Sequence, residues 1–264
     1  MARLLSCAEL RVRIARLPRI PLGHFPTPLE FCQRLTEALG GPRIFMKRDD
    51  CTGLAFGGNK TRQLEFTVAE AVQQGADVVV GGAGSQSNHC RQLAAAAARC
   101  GLECRLLVVK DHKSQPVHGN LLLNELLGAS TEMVEVATQE HLADAKQALV
   151  EDLQRRGKKP FLVMDPSTRH LGAMGYVLCM AEMVEQFAHL GEPLETVVVC
   201  SSCATQPGLI FGGKALGLET RTIGMAPIVW SYDLKEALLD VLSRMSDVLE
   251  MDLSFSAEDI VNLA

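Results

Sequence analysis

The amino-acid sequence predicts an α/β protein built on parallel sheets that helices cover on both faces. Short runs of wholly apolar residues recur along the chain. Each is followed by a stretch with helical spacing of apolar side chains, and polar turns separate the pairs. Strands buried on both faces read as unbroken apolar runs, and strand-then-helix is the repeating unit of a parallel sheet. A chain of 264 residues suits one large α/β domain or two small ones.

In chain order, the opening segment carries no clear pattern. Pro26-Thr27-Pro28-Leu29 is an extended or turn element, because each proline disfavours helix in the residue before it. Residues 31–39 have helical spacing and end at Gly40-Gly41-Pro42, and residues 44–46 form a short strand leading to Lys47-Arg48-Asp49-Asp50. A helix begins at or near Lys60, with Leu64, Val68, Ala71 and Val72 at helical spacing and Gly75 as its stop. Further strands are expected at 77–80, 104–109, 131–136, 161–164, 197–200 and 222–225. Helices are expected at 88–99, 120–127, 139–156, 174–190, 207–216 and 232–249. The polar loop at 165–167 is a candidate domain boundary. There is no internal repeat and no low-complexity linker.

Composition excludes several classes. Hydrophobic residues make up 47% of the chain, enough for a sizeable core, and 26 basic against 31 acidic residues give a net charge of −5. No basic stripe suits nucleic acid and no polybasic run suits a membrane surface. No apolar run reaches membrane-spanning length. Arginines at 3, 11, 13, 16 and 19 interrupt the N-terminal apolar runs, which argues against a secretory signal. Nine irregularly spaced cysteines read as reduced thiols in a cytoplasmic protein. Cys200 and Cys203 form a lone C-x-x-C without a second pair or a His cluster, so no metal is expected.

The stretch Phe56-Gly57-Gly58-Asn59-Lys60-Thr61-Arg62 carries the first chemical signal. Its glycines allow a tight backbone close to a ligand. Lys60 sits in a helix's first turn, where the partial positive charge disfavours a cation, so its amine rather than its charge is the useful feature. Two strand-to-helix junctions add hydrogen-bonding groups, and ligands of parallel sheets bind at such junctions. The first is Gly81-Gly82-Ala83-Gly84-Ser85-Gln86-Ser87-Asn88-His89, whose helix start favours an anion such as a carboxylate or phosphate. Ser87 serves equally as a plain helix cap there. Its glycine spacing fails the dinucleotide pattern. The second is Ser201-Ser202-Cys203-Ala204-Thr205-Gln206-Pro207, with Pro207 suited to a first helical turn. His89 is the one histidine expected near the site, in a packing or hydrogen-bonding role.

These motifs together resemble the D-cysteine desulfhydrase and 1-aminocyclopropane-1-carboxylate deaminase family of fold-type II pyridoxal-phosphate (PLP) enzymes. The resemblance rests on Lys47-Arg48-Asp49-Asp50, Gly57-Gly58-Asn59-Lys60-Thr61-Arg62, and Gln86-Ser87-Asn88-His89 with Arg91-Gln92. Pro26-Thr27-Pro28-Leu29-Glu30 and Gly172-Ala173-Met174-Gly175-Tyr176 fit as well. It implies two doubly wound parallel-sheet domains with the cofactor between them: a small one at 54–164, and a large one made of 1–53 and 165–264. It implies that Lys60 carries PLP as a Schiff base and exchanges protons with the substrate. Asn59 belongs to that cofactor site, Asn88 meets the cofactor's ring hydroxyl, and Ser87 with the amides of Asn88 and His89 holds the substrate carboxylate. Ser201, Ser202, Cys203, Ala204 and Thr205 form the phosphate loop. The implied reaction is α,β-elimination on a small amino acid, D-cysteine first, giving pyruvate, ammonia and sulfide. L-cysteate and aminocyclopropane carboxylate are the alternatives, and a homodimer is implied.

The sequence departs from that family in three places. The family's phosphate loop is glycine-rich, of the form G-S-G-G-T, where this chain has Ser201-Ser202-Cys203-Ala204-Thr205. A phosphate-holding lysine three positions after the Schiff-base lysine is Gln63 here. The elements that carry an active-site tyrosine and the group facing the pyridine nitrogen are not found; Tyr232 lies elsewhere and Tyr176 belongs to another motif. A truncated or non-catalytic member is therefore the competing expectation, and a C-x-x-C thiol oxidoreductase a weaker third.

Overall fold

The computed structural model describes residues 4–109, 117–135, 138–201, 204–226 and 231–263. In chain order the elements are α1 (Cys7–Ile14), β1 (Leu29–Phe31), α2 (Gln33–Leu39), β2 (Phe45–Lys47), α3 (Lys60–Gln73), β3 (Val78–Gly84) and α4 (Asn88–Cys100). There follow β4 (Glu103–Val109), α5 (Gly119–Leu126), β5 (Ser130–Val134), α6 (Gln139–Arg155), β6 (Pro160–Leu162) and α7 (Arg169–Leu190). The last are β7 (Thr196–Cys200), α8 (Thr205–Ala215), β8 (Arg221–Met225), α9 (Leu234–Val248) and β9 (Val261–Leu263). They divide into two compact units, one of Met1–Arg16, Gly23–Asn59 and Ala173–Ala264, the other of Leu17–Leu22 and Lys60–Gly172.

The unit that begins at Lys60 is a four-stranded parallel sheet in the order β5-β4-β3-β6. Alternation along β3 sends Val78 and Val80 onto Val150 and Leu153 of α6. Val79 and Gly81 take the other face, where a side chain on Gly81 would meet Leu93 of α4. Both faces are covered, as the unbroken apolar strands predict. The segment Leu17–Leu22 is tied on by one buried carboxylate, Glu65, which is 2% exposed. Its oxygens accept from Leu22 N at 2.8 Å and Arg19 Nε at 2.7 Å, so the charge is paired and hydrogen-bonded as burial demands.

The other unit holds the parallel sheet β7-β8-β9 and an antiparallel pair, β1-β2. Val197 and Val199 pack on a cluster of Tyr176, Met180, Met183 and Phe187 from α7 and Leu209 from α8. Helices α8 and α7 approach closely at Gly208, where a side chain would strike the Ala173 carbonyl and the Cβ of Tyr176. Fully buried Gln206 donates from Nε2 to Val261 O at 3.0 Å, joining the start of α8 to β9.

Four features differ from the sequence-based expectation. β1 occupies Leu29–Phe31, where helix was expected from 31, because Glu30 and Phe31 pair with Met46 and Phe45 before α2 begins. β3 runs on through Gly84 instead of ending at 80, since Gly81 to Gly84 register against Leu106 to Val109. Three of the glycines read as a ligand loop thus belong to a strand, and the loop itself shrinks to 85–87. β9 was not expected. Finally, one face of β7-β8-β9 is bare among the described residues: Val198 is 60%, Met225 47% and Leu263 52% exposed.

Gly208→Ala should destabilise the protein by about 1–3 kcal/mol, because the obstructing atom is backbone and α7 must shift. Urea unfolding measures it. Gly84→Ala, with open space at that position, should change little.

Candidate active site

Lys60 is the first residue of α3 and is half-buried. The backbone reaches it through a run of left-handed residues: Gly53 (φ 91°), Ala55 (φ 43°), Phe56 (φ 69°), Gly57 (φ 75°) and Gly58 (φ 137°). Ala55 and Phe56 are strained there, at about 1–2 kcal/mol each. Such strain persists only where the surroundings over-determine it. Fully buried Thr52 does this. Its Oγ1 donates to Gly58 O at 2.8 Å and accepts from Gly58 N at 2.9 Å, while its own carbonyl accepts from His24 N at 2.8 Å. Gly57 admits no side chain, because a Cβ would collide with the Asp50 carbonyl.

The residue after Lys60 is held from α4. Gln92 is fully buried, and its Oε1 accepts from Thr61 N at 2.7 Å and Thr61 Oγ1 at 2.8 Å. Its Nε2 donates to Asn88 O at 3.1 Å. One amide side chain therefore locks the first turn of the Lys60 helix to the first turn of α4. The residue before Lys60 is held in its own unit: Tyr176 Oη lies 3.1 Å from the Asn59 carbonyl.

The start of α4 carries Ser87, Asn88 and His89. Ser87 is the N-cap, its Oγ accepting from His89 N at 3.2 Å, so the plain capping role is present. The loop before it is clamped to α5. Gln86 Oε1 accepts from Asn120 N at 2.9 Å and Asn120 Nδ2 returns a bond to Gln86 O at 2.8 Å. The His89 imidazole is buried, and among the described residues its Nδ1 meets no hydrogen-bonding partner. Burial first, then the nearby Lys60 ammonium and Lys146, push its pKa down to about 3, so it is neutral at physiological pH.

The second junction lies in the other unit. Ser201 is buried with its N–H donating to Met225 O at 3.1 Å, and Ala204 and Thr205 are buried at the start of α8. Ser202 and Cys203 lie outside the described residues. Among the described residues no side-chain cap is found at α8, as at α2 and α5, whereas α4, α6 and α9 each have one. A buried helix start suits a phosphate through its amides and its dipole. Gln63, at the position of the family's phosphate lysine, is 1% exposed within α3.

Other chemistry finds little support. Among the described residues no group of His, Cys, Asp and Glu suits a metal ion, and no helix is long and apolar enough to cross a membrane. The described cysteines are free, and burial pushes the Cys90 thiol up to about 11, away from thiolate reactivity. Sequence reasoning assigned no role to Thr52, Gln92 or Tyr176. The signal for Gln92 was its place four residues after Asn88, on one helix face.

His89 gives a signed pH dependence. Above about pH 6.5 it is neutral folded and unfolded. Below that, the unfolded chain takes up a proton that the folded site refuses until about pH 3, so stability falls with pH across this window. Urea titrations should show a slope of up to about 1.4 kcal/mol per pH unit from this group, removed in His89→Gln.

The family model for pyridoxal-phosphate dependent enzymes matches residues 20–239. A 1-aminocyclopropane-1-carboxylate deaminase of Methylobacterium nodulans is 34% identical over 256 residues, covering 94% of this chain and 76% of its own length. One of Burkholderia orbicola is 35% identical over 260 residues, covering 95% and 76%. Among solved structures, an ACC deaminase homologue aligns with a TM-score of 0.83 at 26% identity, over 96% of this chain and 76% of that one. Diaminopropionate ammonia lyase of Escherichia coli shares the fold, with a TM-score of 0.64 at 17% identity over 85% of this chain and 61% of that one. The chain belongs to the pyridoxal-phosphate dependent enzyme family, as a fold-type II lyase or deaminase.

Proposed function

We propose that this enzyme deaminates a small α-amino acid at Lys60, with 1-aminocyclopropane-1-carboxylate the first substrate to test. The observation that carries the reading is the tie from Thr61 through Gln92 to Asn88, which holds the head of the Lys60 helix against the start of α4. The relatives' names favour the cyclic substrate over the D-cysteine that the sequence motifs suggested first. D-cysteine and L-cysteate remain the comparison substrates.

The residues divide the work by their chemistry. PLP, when bound, supplies an electron sink for charge developing at the substrate's α-carbon. Lys60 holds the cofactor by its amine and, once released, moves a proton at Nζ. Asn88 meets the cofactor's ring hydroxyl. Ser87 and the amides of Asn88 and His89 orient the substrate carboxylate, where the start of α4 favours negative charge. Ser201, Ala204 and Thr205 hold the phosphate at the start of α8.

In the balanced reaction, the cyclic amino acid and a single water give 2-oxobutyrate and ammonia. The ring opens, the water oxygen becomes the keto oxygen, and the amino nitrogen leaves. Purified protein with added PLP should release this 2-oxoacid and ammonia in equal amounts, and Lys60→Ala should lose at least about 10³-fold in rate. Ser87→Ala should raise KM for the amino acid more than it lowers kcat, as loss of a carboxylate contact does. Turnover by Lys60→Ala at the wild-type rate, or no oxoacid from any of the three substrates, sinks the proposal.

A further inference from the structure

We propose that Tyr176 and Asp49 are positioning residues for Lys60, acting through the carbonyl of Asn59. Tyr176 is 4% exposed, and its hydroxyl lies 3.1 Å from Asp49 Oδ2 and 3.1 Å from Asn59 O. Both of those oxygens are acceptors, and the hydroxyl carries one hydrogen. The proton is therefore shared between a carboxylate and the peptide that joins Asn59 to Lys60. The tyrosine cannot swing away, because α8 packs on its Cβ at Gly208.

Asp49 is held in turn. Thr27 Oγ1 donates to Asp49 Oδ1 at 2.8 Å. The Thr27 carbonyl accepts from Lys47 Nζ at 2.8 Å and from Gln186 Nε2 at 2.9 Å. Lys47 pairs with Glu182 at 3.0 Å, both side chains nearly buried. A continuous line of polar contacts thus runs from Glu182 on α7 to the peptide in front of Lys60. This inference rests on the reading of Lys60 as the cofactor lysine.

Two near-isosteric variants separate positioning from packing. Tyr176→Phe keeps the ring and removes the donor from Asn59 O. Asp49→Asn, with its carbonyl oxygen kept toward Thr27, turns an amide NH group toward Tyr176, whose hydrogen then goes undivided to Asn59 O. The two changes act on Lys60 in opposite directions, whereas lost packing would lower both.

The readout is the rate at which Lys60 attaches added PLP. The amine condenses with the cofactor's aldehyde to a C=N bond and one water leaves. Borohydride then delivers hydride to that bond, and mass spectrometry counts the labelled chains with time. Tyr176→Phe, with unchanged circular dichroism, should slow attachment about tenfold or more. Asp49→Asn should attach at least as fast as wild type. Equal rates in wild type and Tyr176→Phe overturn the inference, and so does a tenfold slowing in Asp49→Asn. If Tyr176→Phe does not fold, Asp49→Asn decides alone by that criterion. No attachment in wild type overturns the reading of Lys60 and this inference with it. Attachment lost in Lys60→Ala leaves that reading standing whichever way the tyrosine falls.

Discussion

The rest of the structure depends on how the backbone is held on either side of Lys60. A lysine side chain carries about 2 kcal/mol of rotamer entropy, so its amine finds one place only if its Cα is fixed. Thr61 is fixed by Gln92 and Asn59 by Tyr176, each a buried side chain with a hydrogen bond to the main chain. Further back, Thr52 makes a two-way bond with Gly58. The chain passes from one compact unit to the other at the Asn59–Lys60 peptide. Each unit therefore grips the peptide next to its own end of that junction.

Holding the junction costs buried polarity. Lys47, Glu182, Thr27, Asp49 and Tyr176 would each be expensive alone, since an unpaired buried charge or hydroxyl loses its hydration without return. Here the donors and acceptors follow one another without a gap. A buried ion pair such as Lys47–Glu182 is weak evidence for stability, because apolar residues of the same volume often do as well. Its place is at one end of the line of polar contacts that reaches the Asn59–Lys60 peptide.

Much of the fold was legible in the sequence. Apolar runs and helical spacing located the strands and helices of the unit that begins at Lys60, because its central strands are buried on both faces. The same logic fails at β7, where Val198 is 60% exposed within an unbroken valine run. The pattern reports a strand made for two-sided burial, and only one side is covered among the described residues. β9 escaped because three residues with an asparagine in the middle show no period. At the site, Lys60 and the Ser87 cap were readable from local spacing. Thr52, Gln92 and Tyr176 were not, because their bonds are tertiary: Gln92 reaches back 31 residues to Thr61, and Tyr176 reaches 117 to Asn59. Periodicity carries no information about such partners.

The proposed phosphate loop departs from the family pattern at its glycines. Glycine matters in such a loop where the backbone needs a left-handed conformation or where a Cβ would obstruct the ligand. Ala204 sits at φ −104°, ψ −23°, a conformation open to any residue, so backbone geometry does not demand glycine there. The groups that would meet a phosphate are main-chain amides and the helix dipole, and neither depends on the side chain that replaces glycine. Thr205 keeps the hydroxyl of the family's final position and is 2% exposed at the head of α8. At Ala204 and Thr205, then, the loss of glycine leaves in place the helix start that the proposed phosphate site would use.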